Sequence, residues 1–384
     1  MNATSSSSRL ITVDLLRIFA AAIVMVFHLG FWSWAPKTST PKSVMWAPVE
    51  YPELVAWTWW GWVGVQIFFV ISGYVIAFSS ERVDWQRFLR SRFLRLAPGL
   101  WICASATVAI ALLVNWEPAA CGLGEAYLRT VTLFPDSKRC WVDGVYWTLG
   151  VEVSFYLLVM VLIAVGAKRA MEPIIAAVGV VSIVYTVGRL GLDFLPTTPN
   201  WGRVGQLLLV QHGMYFAIGV SLWAAHRHGW TALRVVFIIL MTCGGLVPII
   251  DETVTKSALL TSIWDTPSAS LIWLVSVALM VMIPRLERRL AGSGPRLVAA
   301  IRILGLATYP LYLLHSVIGT AALSVPLGFG VERFVALALA MASMVALAVA
   351  ITVWPEAAFR KWLGRWLGSA SPDRAVSRRR RLPL

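Results

Sequence analysis

Charged side chains are scarce in this 384-residue sequence, because Asp, Glu, Lys and Arg make up 14% of it while hydrophobic residues make up 58%. A typical soluble domain carries about 25% charged residues, so the composition argues against a soluble protein. The polar intervals between the apolar runs are too short to hold a separate soluble domain. No internal repeat is visible, which disfavours a transporter built from duplicated halves. The expected architecture is one helical bundle within a membrane.

Cysteine is also rare, with four residues in the whole sequence. Cys103 and Cys243 fall inside apolar runs, where a thiol usually acts as a small packing residue. Cys121 and Cys140 share one polar interval, and they would either form a disulfide in an oxidising compartment or remain free thiols. No Cys and His spacing resembles a metal site, so no metal is predicted.

Long apolar segments are what the sequence has in abundance. Crossing a bilayer takes about 20 apolar residues, and candidates lie at 10–31, 57–78, 95–114, 145–166, 173–191, 204–225, 233–250, 268–284, 303–323 and 333–354. Asp14 and Arg17 interrupt the first segment, which is untypical of a cleavable signal peptide and indicates a permanent span. The sequence predicts an all-α polytopic membrane protein with about ten transmembrane helices over residues 1–366. A basic tail over residues 367–384 is expected to be disordered.

The 33 Lys and Arg residues outnumber the 19 Asp and Glu residues, and the excess is uneven. When the loops are assigned alternately to two membrane faces, most basic residues fall on one face. They are Arg9, the run from Arg82 to Arg95, Lys168, Arg169, Arg227, Arg234, the cluster from Arg285 to Arg302, and the tail. Basic loops stay in the cytoplasm, so both termini are predicted to be cytoplasmic. The tail would attract anionic lipid headgroups, and the alternation disfavours nucleic acid as a partner.

Three ionisable residues, Asp14, Arg17 and His28, lie in the first apolar segment. Eleven residues are close to three helical turns, so Arg17 and His28 share a face, with Arg17 toward the cytoplasm. Asp14 is one turn before Arg17 and is expected to form an ion pair with it. Charged groups inside a span usually mark a functional site, which makes Arg17 and His28 candidates.

More polar residues occur in later segments. They are Gln66 and Ser72 in the second, Glu152 in the fourth, and Tyr312 and His315 in the ninth. A lone residue of this kind is usually a hydrogen bond between packed helices, but two histidines and a carboxylate in one bundle are costly without partners. His28 is suited to take a proton from a hydroxyl. Glu152 is one residue that could orient it, although spacing within one helix does not identify contacts between helices.

The sequence from Arg87 to Pro98 places several arginines at the mouth of the third segment. Arg92 and Arg95 lie one turn apart, a spacing that suits bidentate binding of a phosphate. The alternative is that they belong only to the general excess of basic residues on that face.

Taken in order, these motifs resemble the acyltransferase family 3 membrane proteins. The matching motifs are Arg17 with His28, Gly64 to Tyr74, Arg92 and Arg95 before Pro98, Trp147 to Tyr156, Tyr309 to His315, and Glu356 to Arg360. Two positions depart from the family pattern. Gln66 stands where many members have Asp, which weakens a proton-relay role there, and Ala358 stands where the last motif usually has Pro.

The resemblance implies acyl transfer, commonly of acetyl from acetyl-coenzyme A to a hydroxyl. Acceptors in the family are typically cell-surface carbohydrates, and some members acylate small molecules. Some members carry an additional extracytoplasmic SGNH-type domain, whereas this chain resembles the stand-alone members. The implied residues are His28, Arg17 and Glu152 for catalysis, Arg92, Arg95 and Arg17 for the donor, and Gln66, Ser72, Tyr312 and His315 as substrate or structural candidates.

The expected partners are acyl-coenzyme A, a carbohydrate or small-molecule hydroxyl acceptor, and membrane lipids, in a bacterial plasma membrane. Seven of the 20 tryptophans lie between Trp32 and Trp62, where they would form either an interfacial belt or a stacking surface for sugars. The main alternative function is a proton-coupled transporter or flippase that uses Arg17, His28 and Glu152 as a proton path. Binding of coenzyme A distinguishes the two functions.

Overall fold

The computed structural model describes residues 10–118, 120–133, 140–189, 199–257 and 267–369, and these residues contain helices and no β-strand. The helices are α1 Ile11–Phe27, α2 Thr40–Val44, α3 Val55–Thr58, α4 Gly64–Ser80, α5 Trp85–Leu113, α6 Leu123–Thr132, α7 Trp147–Ala164, α8 Met171–Arg189, α9 Gly202–Leu207, α10 Gly213–His228, α11 Ala232–Ser257, α12 Ser268–Val281, α13 Ile283–Leu290, α14 Pro295–Leu314, α15 Val317–Gly328, α16 Arg333–Val353 and α17 Pro355–Ser369. Arg9 and the predicted basic tail beyond Ser369 lie outside the described residues.

The predicted all-α polytopic class is confirmed. Within the described ranges, eight helical stretches are long and apolar enough to cross a membrane, and a ninth results if α12 and α13, which meet at a 68° bend, count as one span. Helix α10 is buried along most of its length, but its 16 residues rise only about 24 Å. That length is short of the roughly 30 Å hydrocarbon core, so α10 is not among these stretches, although it lies at the position of the sixth predicted span.

Two predicted spans contain breaks that the apolar pattern does not reveal. The predicted span 204–225 includes the end of α9 and a turn in which Leu209 has a left-handed backbone, with φ of 62°. The predicted span 303–323 is divided at His315 and Ser316, between α14 and α15. Hydropathy misses the first break because the turn begins with three apolar residues, Leu208, Leu209 and Val210. It misses the second because the break depends on a contact with a distant part of the chain, described below.

Helix α1 does not end as a regular helix. It continues directly into a π-helical turn over His28–Trp32. Single π turns inside helices are rare and occur often at functional sites. The irregularity therefore begins at the histidine that the sequence analysis identified.

Helices α4 and α10 cross at two glycines, and this crossing forms the centre of the bundle. A Cβ atom on Gly219 would collide with the backbone of Val70 and Tyr74, and one on Gly73 would collide with the backbone of Phe216. Small residues permit this close approach of helices in a membrane. This crossing holds α4 in place, and residues of α4 form part of the wall of both cavities described below.

The start of α1 and helix α17 lie at the same end of the bundle. The Thr12 amide donates to Glu287 of α13 at 2.6 Å, and Arg90 of α5 donates to the Gly364 carbonyl of α17 at 2.6 Å. We call this the basic end, defined by the start of α1, the start of α5, α13 and α17. At the other end, Cys121 and Cys140 form a disulfide that ties α6 to the segment before α7.

We expect Gly219→Ala to destabilise the protein by about 1–3 kcal/mol, because the added methyl overpacks the α4–α10 crossing. The matched control is Gly124→Ala on α6, where an added Cβ meets no atom within 4 Å. Both changes confer the same helix propensity, so the difference between them isolates the packing effect. Thermal unfolding of the purified variants in detergent provides the measurement. Equal melting temperatures would contradict close packing at this crossing.

Candidate active site

Two cavities lie within the bundle and share part of their walls. The smaller, about 120 Å³, contains Arg17, Arg92, Arg95 and Glu152, and we call it the arginine cavity. The larger, about 480 Å³, contains His28, and we call it the histidine cavity. Val65 and Tyr312 line both of them. The predicted site residues are thus divided between two adjoining chambers.

The arginine cavity brings together the three arginines that the sequence analysis proposed for donor binding. Arg17 lies 3.3 Å from Asp14, which confirms the predicted ion pair. Arg95 lies 3.7 Å from the fully buried Glu356, and its guanidinium lies over the Tyr309 ring at 5.5 Å. These contacts keep both guanidinium groups at the cavity wall.

Arg92 is held more loosely. Its Nη2 atom donates to the Ser79 hydroxyl at 3.0 Å, and its guanidinium lies 5.9 Å from the centre of the Tyr156 ring. No acidic side chain pairs with it among the described residues, and its buried Nε atom has no hydrogen-bond partner there. A partly buried guanidinium with an unused donor is suited to bind an anionic ligand.

Glu152 also belongs to the arginine cavity. Its carboxylate accepts hydrogen bonds from the Ser72 hydroxyl at 3.1 Å and from the Tyr156 hydroxyl. Glu152 therefore makes no hydrogen bond to His28, which the sequence analysis had considered. The structure instead joins Glu152 with Ser72, another of the sequence-derived candidates, and with Tyr156.

His28 makes its side-chain contact to a second histidine. Its Nδ1 atom lies 2.9 Å from the Val24 carbonyl oxygen and 3.1 Å from Nε2 of His315. The Nδ1 atom of His315 lies 2.8 Å from the Tyr312 carbonyl oxygen. Two of the sequence-derived candidates, on α1 and after α14, thus meet directly.

These distances determine where the protons lie. A carbonyl oxygen only accepts hydrogen bonds, so Nδ1 carries the proton in both histidines. Nε2 of His315 is then an acceptor, and it shares the Nδ1 proton of His28 with the Val24 carbonyl. The Nε2 atom of His28 is left with an unprotonated lone pair. A neutral imidazole with a free Nε2 is the form needed for a base or a nucleophile.

Asp143 holds the helix break that positions His315. Its carboxylate accepts the Val317 amide of α15 at 2.8 Å and the Val145 amide before α7 at 3.2 Å. Burial raises the pKa of Asp143 to about 6, so it remains an acceptor for both amides at neutral pH. The sequence analysis missed Asp143. The only feature of the local sequence that points to Asp143 is its position directly before a glycine at the start of an apolar segment.

Lys256 of α11 is a second residue that the sequence analysis missed. Its ammonium group lies 4.1 Å from the centre of the Trp32 ring and 2.6 Å from Glu252. Phe27 stacks on Trp32 with ring centres 5.3 Å apart. Because Phe27 and Lys256 both contact this ring, Trp32 is a poor platform for a sugar.

Gln66 and several polar neighbours line the histidine cavity. With its amide oriented to satisfy both neighbours, the Gln66 nitrogen donates to the carbonyls of Trp62 and Val63 at 3.1 and 3.2 Å. An ionised aspartate could not donate these bonds. The same wall also contains the hydrogen-bonding side chains of Gln206, Gln211 and His212, which the sequence analysis missed as well.

Comparison with known proteins gives a consistent result. The family model of the acyltransferase domain matches residues 10–353. Nodulation protein 10 of Rhizobium leguminosarum bv. viciae is 29% identical over 185 residues, which cover 42% of this chain and 47% of that protein. The regulator of hypoxia-inducible factor 1 of Caenorhabditis elegans is 28% identical over 175 residues, which cover 40% of this chain and 34% of that protein. The chain thus spans less than half the length of these two relatives. No solved structure shows significant similarity.

The proton assignment at the histidine pair leads to a spectroscopic prediction. With ¹⁵N-labelled histidine at pH 7, His28 should show a protonated Nδ1 and an unprotonated Nε2. His315→Leu should shift the tautomer equilibrium of His28 toward the form protonated at Nε2, because one of the two acceptors of the Nδ1 proton is lost. The His28→Gln spectrum identifies the His28 signals among those of the five histidines. A protonated Nε2 on His28 in the unmodified protein would contradict the assignment.

Proposed function

The chain belongs to the acyltransferase family whose domain model matches residues 10–353, and on that premise we propose that it transfers an acyl group from acyl-coenzyme A to a hydroxyl. The proposed donor is acetyl-coenzyme A, and the proposed acceptor lies outside the cytoplasm. The observation that carries this proposal is the pair of adjoining cavities. One presents arginines and the other presents a histidine with a free lone pair.

The arginine cavity suits the donor. Coenzyme A is rich in phosphate, and Arg92 offers guanidinium donors that no acidic side chain among the described residues neutralises. Arg95 and Arg17 add positive charge to the same wall. Apolar side chains, including Phe68 and Ile71, continue the lining, as would suit the uncharged arm that bears the thioester.

His28 is proposed as the group that activates the acceptor. Its Nε2 lone pair would take the proton of the acceptor hydroxyl while the hydroxyl oxygen attacks the thioester carbonyl carbon. The carbon–sulfur bond then breaks, and the proton passes to the departing thiolate. The same lone pair would serve if His28 first carried the acyl group itself. In both versions His315 acts as a positioning residue that keeps the proton on Nδ1 of His28.

A carbohydrate is the proposed acceptor class. The histidine cavity has room for a sugar unit, at about 480 Å³. Its wall combines amide side chains of Gln66, Gln206 and Gln211 with the aromatic ring of Trp147. Amide groups suit a polyhydroxyl ligand through hydrogen bonds, and aromatic rings suit the apolar faces of a sugar ring.

A proton-coupled transporter or flippase fits the geometry less well. Such a path would link Arg17, His28 and Glu152 by short steps. His28 lines the histidine cavity, however, whereas Arg17 and Glu152 line the arginine cavity. The hydrogen bonds of Glu152 go to Ser72 and Tyr156, and those of His28 go to Val24 and His315.

The orientation in the membrane follows from the donor. Acyl-coenzyme A is cytosolic, so the basic end with its arginine cavity is proposed to face the cytoplasm, and both termini with it. The excess of basic residues in the loops on that side supports this orientation. The proposed location is the plasma membrane of a bacterium.

The test of the function is transfer of label from [¹⁴C]acetyl-coenzyme A in membranes of the producing cells. In cells that lack their own copy of the gene, the unmodified protein should restore the transfer of label, and alkali should release this label as acetate. Mass spectrometry of the surface glycans should show the added acetyl mass. His28→Gln should lower the rate by at least about 100-fold, the lower range for loss of a general base. His228→Gln is the control, because this histidine ends α10 outside both cavities. Full transfer by His28→Gln would overturn the mechanism.

A second pair of variants in the same assay tests the donor site. Arg92→Gln should raise the KM for acetyl-coenzyme A about 10-fold or more, because a charge-assisted hydrogen bond to phosphate is lost. Arg87→Gln is the matched control, since Arg87 lies on the same helix at the same end with its side chain 78% exposed. Equal KM values for the two variants would contradict a role of Arg92 in donor binding. Arg92 would then be only one of the excess basic residues on that face.

A further inference from the structure

Val65 and Tyr312 are the residues that line both cavities. Val65 lies in the first turn of α4, and Tyr312 lies near the end of α14. The cavity proposed for the donor and the cavity that contains His28 therefore meet between these two side chains. We call the place where the two cavities adjoin, at Val65 and Tyr312, the junction.

Tyr312 is fixed in place. Its hydroxyl accepts a hydrogen bond from Thr148 at 3.1 Å and donates to the Val145 carbonyl at 3.3 Å. Its ring contacts Phe68 edge-on, with ring centres 6.0 Å apart, and lies 5.6 Å from the ring of His315. One side of the junction is therefore rigid, and the size of the side chain at position 65 sets its width.

We propose that Val65 and Tyr312 select the acyl group by its length. This inference rests on the proposed function, in which the thioester arrives from the arginine cavity and the hydroxyl is activated by His28. The reacting carbonyl carbon must then lie at the junction, and the remainder of the acyl chain must fit beside Val65 and Tyr312. An acetyl group adds one methyl beyond the carbonyl, whereas a butyryl or hexanoyl chain needs space that these side chains occupy. Short acyl groups are therefore the substrates.

The experiment changes the width of the junction and leaves the proposed catalytic and phosphate-binding residues intact. Val65→Ala widens it and Val65→Leu narrows it. Val75→Ala is the matched control, because it removes the same atoms from the same helix about 15 Å away. Of the two cavities, Val75 lines the arginine cavity and not the histidine cavity. The producing cells lose their own copy of the gene and receive a gene for one of the variants. Their membranes are then supplied with ¹⁴C-labelled acetyl-, propionyl-, butyryl- or hexanoyl-coenzyme A. Alkali-labile label is measured for each donor.

The unmodified protein should use acetyl-coenzyme A best. Val65→Ala should raise the ratio of butyryl to acetyl transfer about 10-fold, the effect typical of one or two methylene groups in a fitted pocket. Val65→Leu should lower the ratio of propionyl to acetyl transfer, and Val75→Ala should leave both ratios unchanged. If Val65→Ala does not accumulate in the membrane, Val65→Leu carries the test by itself.

The outcomes separate this inference from the function on which it rests. If the unmodified protein transfers label from none of the four donors, the proposed function is overturned. If it transfers label but the ratios are the same with Val, Ala and Leu at position 65, the function stands and the inference is overturned. A change caused equally by Val75→Ala would also overturn it, because the effect would then not arise at the junction.

Discussion

The hydrogen bond between His28 and His315 is the interaction on which the site depends. A polar ring inside an apolar bundle is costly unless its nitrogen atoms have partners, and here one nitrogen of each ring is the partner of the other. Irregular features of the chain support this pair. The π-helical turn begins at His28, the break between α14 and α15 contains His315, and Asp143 holds that break by accepting the Val317 amide. The result is a histidine whose free nitrogen does not depend on a nearby acid.

The two cavities differ in how their charges are balanced. In the arginine cavity, Arg17 pairs with Asp14 and Arg95 with Glu356. The polar and ring contacts of Arg92 within the described part of the chain are to a hydroxyl and to aromatic rings. In the histidine cavity, the cation Lys256 is paired with Glu252 and covered by aromatic rings. Three arginines and one carboxylate, that of Glu152, line the first cavity, so positive charge is in excess there for an anionic ligand. The second cavity presents mainly neutral hydrogen-bonding groups. This difference is the physical basis for placing the donor in one and the acceptor in the other.

The sequence predicts the all-α membrane class and the Asp14–Arg17 ion pair, and it singles out His28 and His315 as candidates, because each of these depends on composition or on spacing within one helix. It does not identify the partner of His28, since contacts between helices leave no trace in the spacing along either one. It misses Asp143 and Lys256, because single polar residues at the ends of apolar segments look like ordinary boundary residues. It also misses the break at Ser316. That break depends on Asp143, which is more than 150 residues away in the chain.

The central claim is that the donor binds in the cavity at the basic end, on the cytoplasmic side, and that the acceptor is modified from the opposite side. The most direct measurement uses sealed inside-out and right-side-out membrane vesicles with [¹⁴C]acetyl-coenzyme A, which does not cross the membrane. The account predicts that label reaches the acceptor only when the donor contacts the cytoplasmic face, and that the labelled acceptor lies on the other face. Label transfer that requires the donor on the outer face, or labelled acceptor confined to the cytoplasmic face, would contradict it.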